Sequence, residues 1–197
     1  MKSEKKIKKI EENILEVALK IAKDGEGALF VIADKLKYKR LMKQKFKPFS
    51  IFSPGSGKLL RSLAVIDGAV IITSRGIVKD YGVLIKSTKT FRGFGTRHSA
   101  AISASENENI SILCSEEERK VKIFKDGKYI MQMDALHKDV NKGIASAVSM
   151  LETIGAGTIG TIGVATLVPS LGISIIPGVI VFGGSYYMIK RILDRIR

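Results

Sequence analysis

The sequence predicts an α/β protein of the α+β kind, with a mixed, twisted central β-sheet flanked by helices and a C-terminal pair of hydrophobic helices. Three observations predict this fold class. Apolar residues recur at helical spacing near the N-terminus, short apolar runs alternate with helical segments through residues 28–134, and charge almost disappears after residue 144. Such alternation is typical of a layered domain built around a sheet.

The individual elements follow from periodicity and turn signals. An amphipathic helix over residues 3–23 is indicated by apolar residues at spacings of three and four, namely Ile7, Ile10, Ile14, Val17, Ala18 and Ile21. The Asp126-Gly127 pair indicates a hairpin turn. The other predicted elements are a strand at 28–33, a helix at 56–63, a strand at 65–73 interrupted at 67–68 and paired with one at 76–85, a helix at 96–105, a strand at 109–114, and hairpin strands at 119–124 and 128–133.

Two glycine-rich stretches resemble nucleotide-binding motifs but fail the full patterns. At residues 53–58, a P-loop would need Ser or Thr where Leu59 stands and a first glycine where Phe52 stands. Residues 155–160 fit G-x-G-x-x-G, but no predicted strand precedes them and no acidic residue follows about 20 positions later. Small residues that let two membrane helices approach closely explain this second stretch better.

The chain is strongly basic, with 33 Lys and Arg against 19 Asp and Glu and a formal net charge of +14. Such an excess favours an anionic partner, whether nucleotide, nucleic acid or lipid surface. Residues 35–47 hold seven basic residues and no acid; a solvated loop or helix face is the ordinary interpretation, with lipid or nucleotide binding as the alternative. Cys114 is the single cysteine, which excludes an intrachain disulfide and a cysteine zinc cluster and fits a reducing compartment.

Residues 144–189 carry one charged residue, Glu152, and many glycines. Because a membrane span needs about 20 apolar residues, this stretch predicts two transmembrane helices at about 147–168 and 173–189. Basic residues flank both outer ends, so both ends and the preceding domain are expected to face the cytoplasm. A buried soluble hairpin or a re-entrant loop is the alternative. The predicted division is therefore a domain at 1–134, a linker at 135–146 and a membrane anchor at 147–197.

Two short stretches carry candidate chemistry. Residues 93–101, GFGTRHSAA, place small residues, a hydroxyl, a guanidinium and an imidazole where a loop becomes a helix. A helix start offers unpaired N–H groups and a positive dipole end, which suits phosphate. Upstream, Asp67-Gly68-Ala69 places a carboxylate at the edge of an apolar run. A carboxylate beside phosphate donors indicates a metal ion, and the two stretches together indicate nucleotide chemistry.

These motifs resemble the diadenylate cyclase domain of the DisA N-terminal type, which joins two ATP molecules into cyclic di-AMP. The resemblance covers about residues 7–134. Each feature alone is weak, whereas the whole set in the family's order is hard to obtain by chance. The features are the leading helix, the GALFVIA strand, Asp67-Gly68-Ala69, Gly95-Thr96-Arg97-His98, Ser115-Glu116-Glu117 and the hairpin FKDGK at 124–128.

The resemblance implies an enzyme that condenses two ATP into cyclic di-AMP and two pyrophosphates at the interface of a face-to-face homodimer. It implies Mn²⁺ or Mg²⁺ as cofactor, no nucleic acid as partner, and, with the apolar residues 147–189, a bilayer-bound protein. By resemblance, Asp67, Arg97 and His98 are catalytic, while Asp67 and Glu116 bind the metal. The residues expected to bind ATP are Gly68, Ala69, Ile85, Gly95, Thr96, Arg97, His98 and Ser115.

The sequence departs from the family at Ser99, where the commoner form has a second arginine after the histidine. The family's membrane-bound bacterial members also place their spans before the domain. The missing cation leaves open a second function, a membrane-anchored nucleotide-binding sensor with weak or no turnover. A third is a basic membrane adaptor or nucleic-acid binder that uses residues 35–47. Taken alone, Asp67 would be a turn residue and His98 a helix cap or packed surface residue; only their combination favours a site.

Overall fold

The computed structural model describes residues 2–43, 46–86, 95–155 and 178–181. Within them, a mixed β-sheet carries helices on both of its faces. The helices are α1 (Lys2–Lys23), α2 (Ser56–Ala64), α3 (Thr96–Ala104) and α4 (Ile144–Gly155), and a 3-10 turn, Val140–Gly143, precedes α4. The strands are β1 (Ala28–Ile32), β2 (Lys39–Arg40), β3 (Phe49–Ser50), β4 (Ala69–Ile72), β5 (Ile77–Leu84), β6 (Ile110–Ser115), β7 (Lys120–Lys125), β8 (Lys128–Asp134) and β9 (Val179–Val181).

The strands follow the order β2-β5-β4-β1-β6-β7-β8-β9, and β3 also pairs with β5. β1 pairs in parallel with β4 and antiparallel with β6, so the sheet is mixed, as the sequence predicts. β1 lies near the middle and all five of its residues are buried. Helices cover both faces there, which is why this strand has a continuous apolar sequence instead of an alternating one.

Successive residues of β1 point to opposite faces of the sheet and enter two different cores. Phe30 belongs to the larger core, which the sheet forms with α1, α2 and α4. Leu29 and Val31 belong to the smaller core, which the sheet forms with α3. α3 contributes mostly small residues to that core, including Ala101 and Ala104. We call these two sides of the sheet the larger-core face and the α3 face.

The predicted strand at 65–73 is shorter in the structure, where β4 begins only at Ala69. Gly68 has φ of +103°, which does not continue a strand, and its N–H donates a hydrogen bond of 3.0 Å to the carboxylate of Asp67. The prediction of strand at 65–66 is therefore wrong, whereas the predicted interruption at 67–68 is present, and Asp67 lies in a turn that leads into β4.

The C-terminal region differs most from the prediction. The structure describes α4 over Ile144–Gly155, and its Ala147, Val148 and Leu151 are buried in the larger core. Lys8 of α1 forms an ion pair of 2.7 Å with Glu152 of α4. The start of the predicted first transmembrane helix thus packs against the domain.

The predicted second helix at 173–189 is wrong at residues 179–181, which form β9 on the edge of β8. The unpaired backbone groups of an edge strand accept a further strand, and the sequence Val-Ile-Val favours the extended conformation. In the parts of the chain that the structure describes, no helix is both long and apolar enough to cross a membrane. The rest of the predicted hairpin, residues 156–177 and 182–197, lies outside the described residues.

Candidate active site

A cavity of about 820 Å³ lies on the α3 face, between the start of α3 and the strands β4 and β5. Apolar side chains of neighbouring strands form part of its lining, including Leu29, Val83 and Ile85. Thr96 and Arg97 line the cavity from the first turn of α3. A concave apolar surface with a few convergent polar groups is the usual form of a small-molecule site.

The turn before β4 places Asp67 at the cavity and requires glycine beside it. A Cβ on Gly68 would lie 2.7 Å from the backbone nitrogen of Val83, which a side chain cannot approach without moving β5. The positive φ of Gly68 adds a second reason for glycine. The Asp67 side chain lines the cavity and keeps 86% of its surface exposed. Because it is so exposed, its carboxylate is accessible to a ligand.

The start of α3 offers backbone donors to the same cavity. Gly95 is the N-cap, in an extended conformation without a side-chain cap, and the first turn contains no acidic residue. The first N–H groups of a helix have no partners within the helix and carry a partial positive charge. Thr96 and Arg97 follow directly, so the backbone end and the guanidinium lie together. Of the predicted stretch 93–101, residues 93–94 lie outside the described residues.

Arg97 contacts two of the predicted site residues. Its Nη2 lies 3.7 Å from Asp67 Oδ1, and its Nη1 donates a hydrogen bond of 3.4 Å to Glu116 Oε2. Glu116, in the turn after β6, is 58% exposed and the guanidinium side chain is 43% exposed. Two carboxylates that are 49 positions apart in the sequence, one before β4 and one after β6, therefore contact the same guanidinium.

The same pair of carboxylates can be tested as a divalent metal site. In the part of the chain that the structure describes, no group of three or more His, Cys, Asp or Glu side chains is arranged to hold a metal ion. Mg²⁺ commonly binds through one or two carboxylates, with substrate phosphates and waters completing its octahedron. Asp67 and Glu116 fit that donor set, because both are exposed carboxylates and both contact the Arg97 guanidinium.

His98 and Ser115 occupy positions that differ from the rest of the predicted set. His98 Nε2 lies 3.0 Å from Nζ of Lys122, behind the first turn of α3, and His98 is not among the residues that line the cavity. Ser115 is 9% exposed, and its hydroxyl accepts a hydrogen bond of 3.4 Å from the backbone N–H of Glu118. Ser115 thus holds the turn that carries Glu116.

Lys122 is also bonded to Glu118, whose carboxylate accepts from the lysine ammonium group. Partial burial tends to raise the pKa of Glu118, but the hydrogen bond and the charge of Lys122 outweigh it, and the pKa lies below its ordinary value. The carboxylate form is therefore favoured. Sequence reasoning missed Lys122, because a lysine within a strand pattern is usually a solvated side chain.

Sequence reasoning also missed Gly27, and it gave nucleotide binding by the basic run at 35–47 only as the alternative interpretation. A Cβ on Gly27 would lie 2.2 Å from Arg97 Nη1, so the guanidinium lies directly over this glycine. Lys37, Tyr38 and Lys39 of the run at 35–47 line the cavity. Burial raises the pKa of Tyr38, and the neighbouring carboxylate of Asp80 raises it further. The glycine turn and the cation run were visible in the sequence, but nothing in them indicated which cavity they face.

Most of the remaining predicted residues line the cavity. Ala69 and Ile85 line the cavity beside Gly68, so the strands β4 and β5 bring together the segments expected to contact the ribose and the base. Ser99 also lines it and is 5% exposed, at the position of the departure from the family pattern. Apart from His98, Gly95 and the turn of Ser115 and Glu116, the predicted site residues lie on the cavity wall.

Comparisons with known proteins identify the family of the chain. The model of one protein family, described as DisA bacterial checkpoint controller nucleotide-binding, matches residues 16–129, which is more than half of the chain. A diadenylate cyclase of Methanocaldococcus jannaschii is 32% identical over 66% of this chain and 47% of its own length. A diadenylate cyclase of Haloferax volcanii is 30% identical over 62% of this chain and 51% of its own length.

The chain therefore spans about half the length of these two relatives. Its fold also aligns with a crystal structure of DacA from Staphylococcus aureus, at 21% identity and a TM-score of 0.48, over 72% of this chain and 94% of that chain. The matched residues contain the Asp67 turn, the start of α3 and the Glu116 turn. The chain belongs to the family of DisA checkpoint-controller nucleotide-binding domains.

Proposed function

We propose that this protein is a diadenylate cyclase that converts two ATP into cyclic di-AMP and two pyrophosphates. The observation that carries the proposal is the convergence of Asp67 and Glu116 on Arg97 at the mouth of the cavity. Family membership supports it, as do two relatives that are named diadenylate cyclases. In the reaction, each ribose 3′-oxygen forms a bond to the α-phosphorus of the other ATP, and the bond from that phosphorus to pyrophosphate breaks.

The apolar wall of the cavity suits the base and ribose of one nucleotide. Leu29, Val83 and Ile85 exclude water from one side of the pocket, and Gly68 with Ala69 allows the backbone to approach a ligand closely. A nucleoside placed there directs its phosphates toward the start of α3, because the donors are at that end. Gly95, Thr96 and Arg97 then bind the triphosphate through backbone N–H groups, a hydroxyl and a guanidinium.

Asp67 and Glu116 are the residues that would hold Mn²⁺ or Mg²⁺. When bound, the ion neutralises charge on the phosphoryl oxygens and lowers the pKa of the attacking hydroxyl. The exposed Asp67 carboxylate lies at the rim, where it can accept the proton of a 3′-hydroxyl. Arg97 offsets the charge that develops on the phosphate in the transition state. His98 and Ser115 support this edge of the site through the first turn of α3 and the turn of Glu116.

The reaction needs two nucleotides, so we propose that two copies of the chain meet with their cavities facing each other. The support is the position of Asp67, which is exposed at the rim and thus accessible from outside its own subunit. A monomer is then expected to bind ATP but to form no product. The rate of product formation is expected to rise more steeply than in proportion to enzyme concentration in dilute solution.

Substitution of Asp67 tests the function most simply. In Asp67→Asn we expect cyclic di-AMP formation to fall by roughly 100-fold or more, since loss of a metal ligand removes several kcal/mol of transition-state stabilisation. The measurement is incubation of purified protein with labelled ATP and Mn²⁺, followed by separation of the nucleotides. Glu117→Gln is the matched control, because Glu117 is exposed and adjacent to the site turn. Wild-type dimer that binds ATP but makes no product with any divalent metal would favour a sensor and contradict the cyclase.

We further propose that apolar residues outside the described ranges attach the chain to a membrane, with the domain on the cytoplasmic side. The support is sequence: residues 156–177 and 182–189 contain no charged residue, and basic residues follow them. The full chain is expected in the membrane fraction after an alkaline carbonate wash. A matched variant with Val164→Lys and Val168→Lys is expected to be released. Recovery of the wild-type chain in the soluble fraction would contradict the attachment.

A further inference from the structure

Lys122 is a charged residue in the interior of the sheet. It lies on β7, between β6 and β8, and its side chain is only 5% exposed. Its neighbours Val121 and Ile123 belong to the larger core, so Lys122 points to the α3 face. A buried ammonium group is costly unless it is paired and hydrogen-bonded. The groups that pair with it therefore indicate what it does.

Two side chains meet the lysine nitrogen. Nζ donates to the carboxylate of Glu118, and it lies 3.0 Å from Nε2 of His98. The carboxylate favours the charged form of the lysine. An ammonium group has three donors and no acceptor, so a hydrogen bond to the imidazole requires that Nε2 has no proton. A neutral imidazole with a bare Nε2 carries its proton on Nδ1.

We propose that Lys122, held by Glu118, is a positioning residue that keeps His98 neutral with its proton on Nδ1. The consequence for catalysis rests on the proposed cyclase function. His98 then serves as a neutral imidazole at the first turn of α3, and its Nε2 is not the base that takes the 3′-hydroxyl proton. His98 then adds no positive charge for the triphosphate, whereas Arg97 does.

The ring nitrogens of His98 report the proton position directly, without any substrate. The full chain, labelled with ¹⁵N in histidine, is expected to give a His98 signal pair with an unprotonated Nε2 and a protonated Nδ1. His98→Gln assigns the signals, because the chain has only one other histidine, His137. A His98 that carries its proton on Nε2, or on both nitrogens, at neutral pH would overturn the proposal.

Substitution of Lys122 tests whether this lysine sets the tautomer of His98. In Lys122→Met, which keeps an unbranched chain but removes the donor, we expect the proton to redistribute between Nδ1 and Nε2. Lys120→Met is the matched control, because Lys120 lies on the same strand, 3.8 Å from the same Glu118, and is more exposed. The control is expected to leave the His98 signals unchanged. If Lys122→Met also leaves them unchanged, Lys122 does not set the tautomer.

Kinetics distinguish positioning from general support of the fold. Lys122→Met is expected to lower kcat about tenfold with less than a twofold change in KM for ATP, as for an interaction realised in the transition state. Glu118→Gln, at a more exposed position, is expected to shift the ring signals and kcat in the same direction by a smaller factor, and it decides the matter if Lys122→Met does not fold. A loss confined to KM would overturn the positioning role. Wild-type protein with the expected tautomer but no product would contradict the cyclase function and leave the tautomer assignment standing.

Discussion

A carboxyl group of α1 is buried on the larger-core face of the sheet, whereas two carboxyl groups beside the cavity on the α3 face are exposed. Glu11 of α1 is 1% exposed, and burial raises its pKa to about 8 against the opposing charge of Lys125. Asp67 and Glu116 keep 86% and 58% of their side-chain surface exposed, on either side of Arg97. An exposed carboxylate avoids the desolvation cost that burial imposes. The larger-core face therefore contributes stability, whereas the α3 face offers accessible carboxylates and a guanidinium to a ligand.

The largest expected effect is on the stability of the larger-core face. Ile14 is fully buried there, so Ile14→Ala is expected to lower the free energy of unfolding by about 2–5 kcal/mol. The affinity of the remaining folded protein for ATP is expected to stay the same. Urea denaturation and calorimetry measure the two quantities. Equal losses in stability and in affinity would show that the two faces are not separate in function.

The buried carboxyl predicts a stability that depends on pH. The folded pKa of Glu11 lies at about 8, above the ordinary 4.5, so the folded state binds more protons than the unfolded state between these values. Stability is therefore greatest at low pH within this window and falls as pH rises, by roughly 2–3 kcal/mol between pH 6 and pH 8.

Thermal melts of wild type and Glu11→Gln across this range test the expectation, and the Gln variant is expected to lose this part of the slope. Glu12→Gln, at the neighbouring and less buried position, is the matched control. A wild-type slope that persists unchanged in Glu11→Gln would assign the pH dependence to other groups.

On the α3 face, substitution of Arg97 is expected to weaken ATP binding without lowering stability. Arg97→Gln removes a charge-assisted donor, so ATP affinity is expected to fall by about 10- to 100-fold, or roughly 1.4–2.8 kcal/mol. The free energy of unfolding is expected to change by less than about 0.5 kcal/mol, since exposed ion pairs contribute little. Calorimetry with ATP and denaturation measure these effects. Lower stability with unchanged affinity would make Arg97 a structural residue.

The smallest expected effect is on ATP affinity, when Gly27→Ala displaces the Arg97 guanidinium. In Gly27→Ala the new Cβ would lie 2.2 Å from Arg97 Nη1, so the flexible end of the arginine must move. We expect ATP affinity to fall several-fold, within about 1 kcal/mol, because the movement misplaces a donor without removing it. Gly57→Ala is the control, since its Cβ would meet no atom within 4 Å. Equal affinities of both variants and wild type would separate Gly27 from the site.

The α3 face was largely predictable because its chemistry lies in short motifs. Asp67-Gly68 and Gly95-Thr96-Arg97 are local signals, and the structure brings Asp67 and Arg97 to within 3.7 Å. Lys122 was not predictable, since its burial depends on packing against α3, which is not adjacent to β7 in the sequence. The same reason explains residues 179–181, whose apolar sequence suits a membrane helix or an edge strand equally, and where pairing with β8 decides.

Product formation as a function of enzyme concentration tests directly whether two copies of the chain make cyclic di-AMP together. Purified full-length chain is incubated with labelled ATP and Mn²⁺ over a wide range of dilution, alongside Asp67→Asn. The wild type is expected to form cyclic di-AMP at a rate that rises faster than in proportion to enzyme concentration, and the variant is expected to form almost none. Equal product from Asp67→Asn, or none from a wild-type dimer that binds ATP, would contradict it.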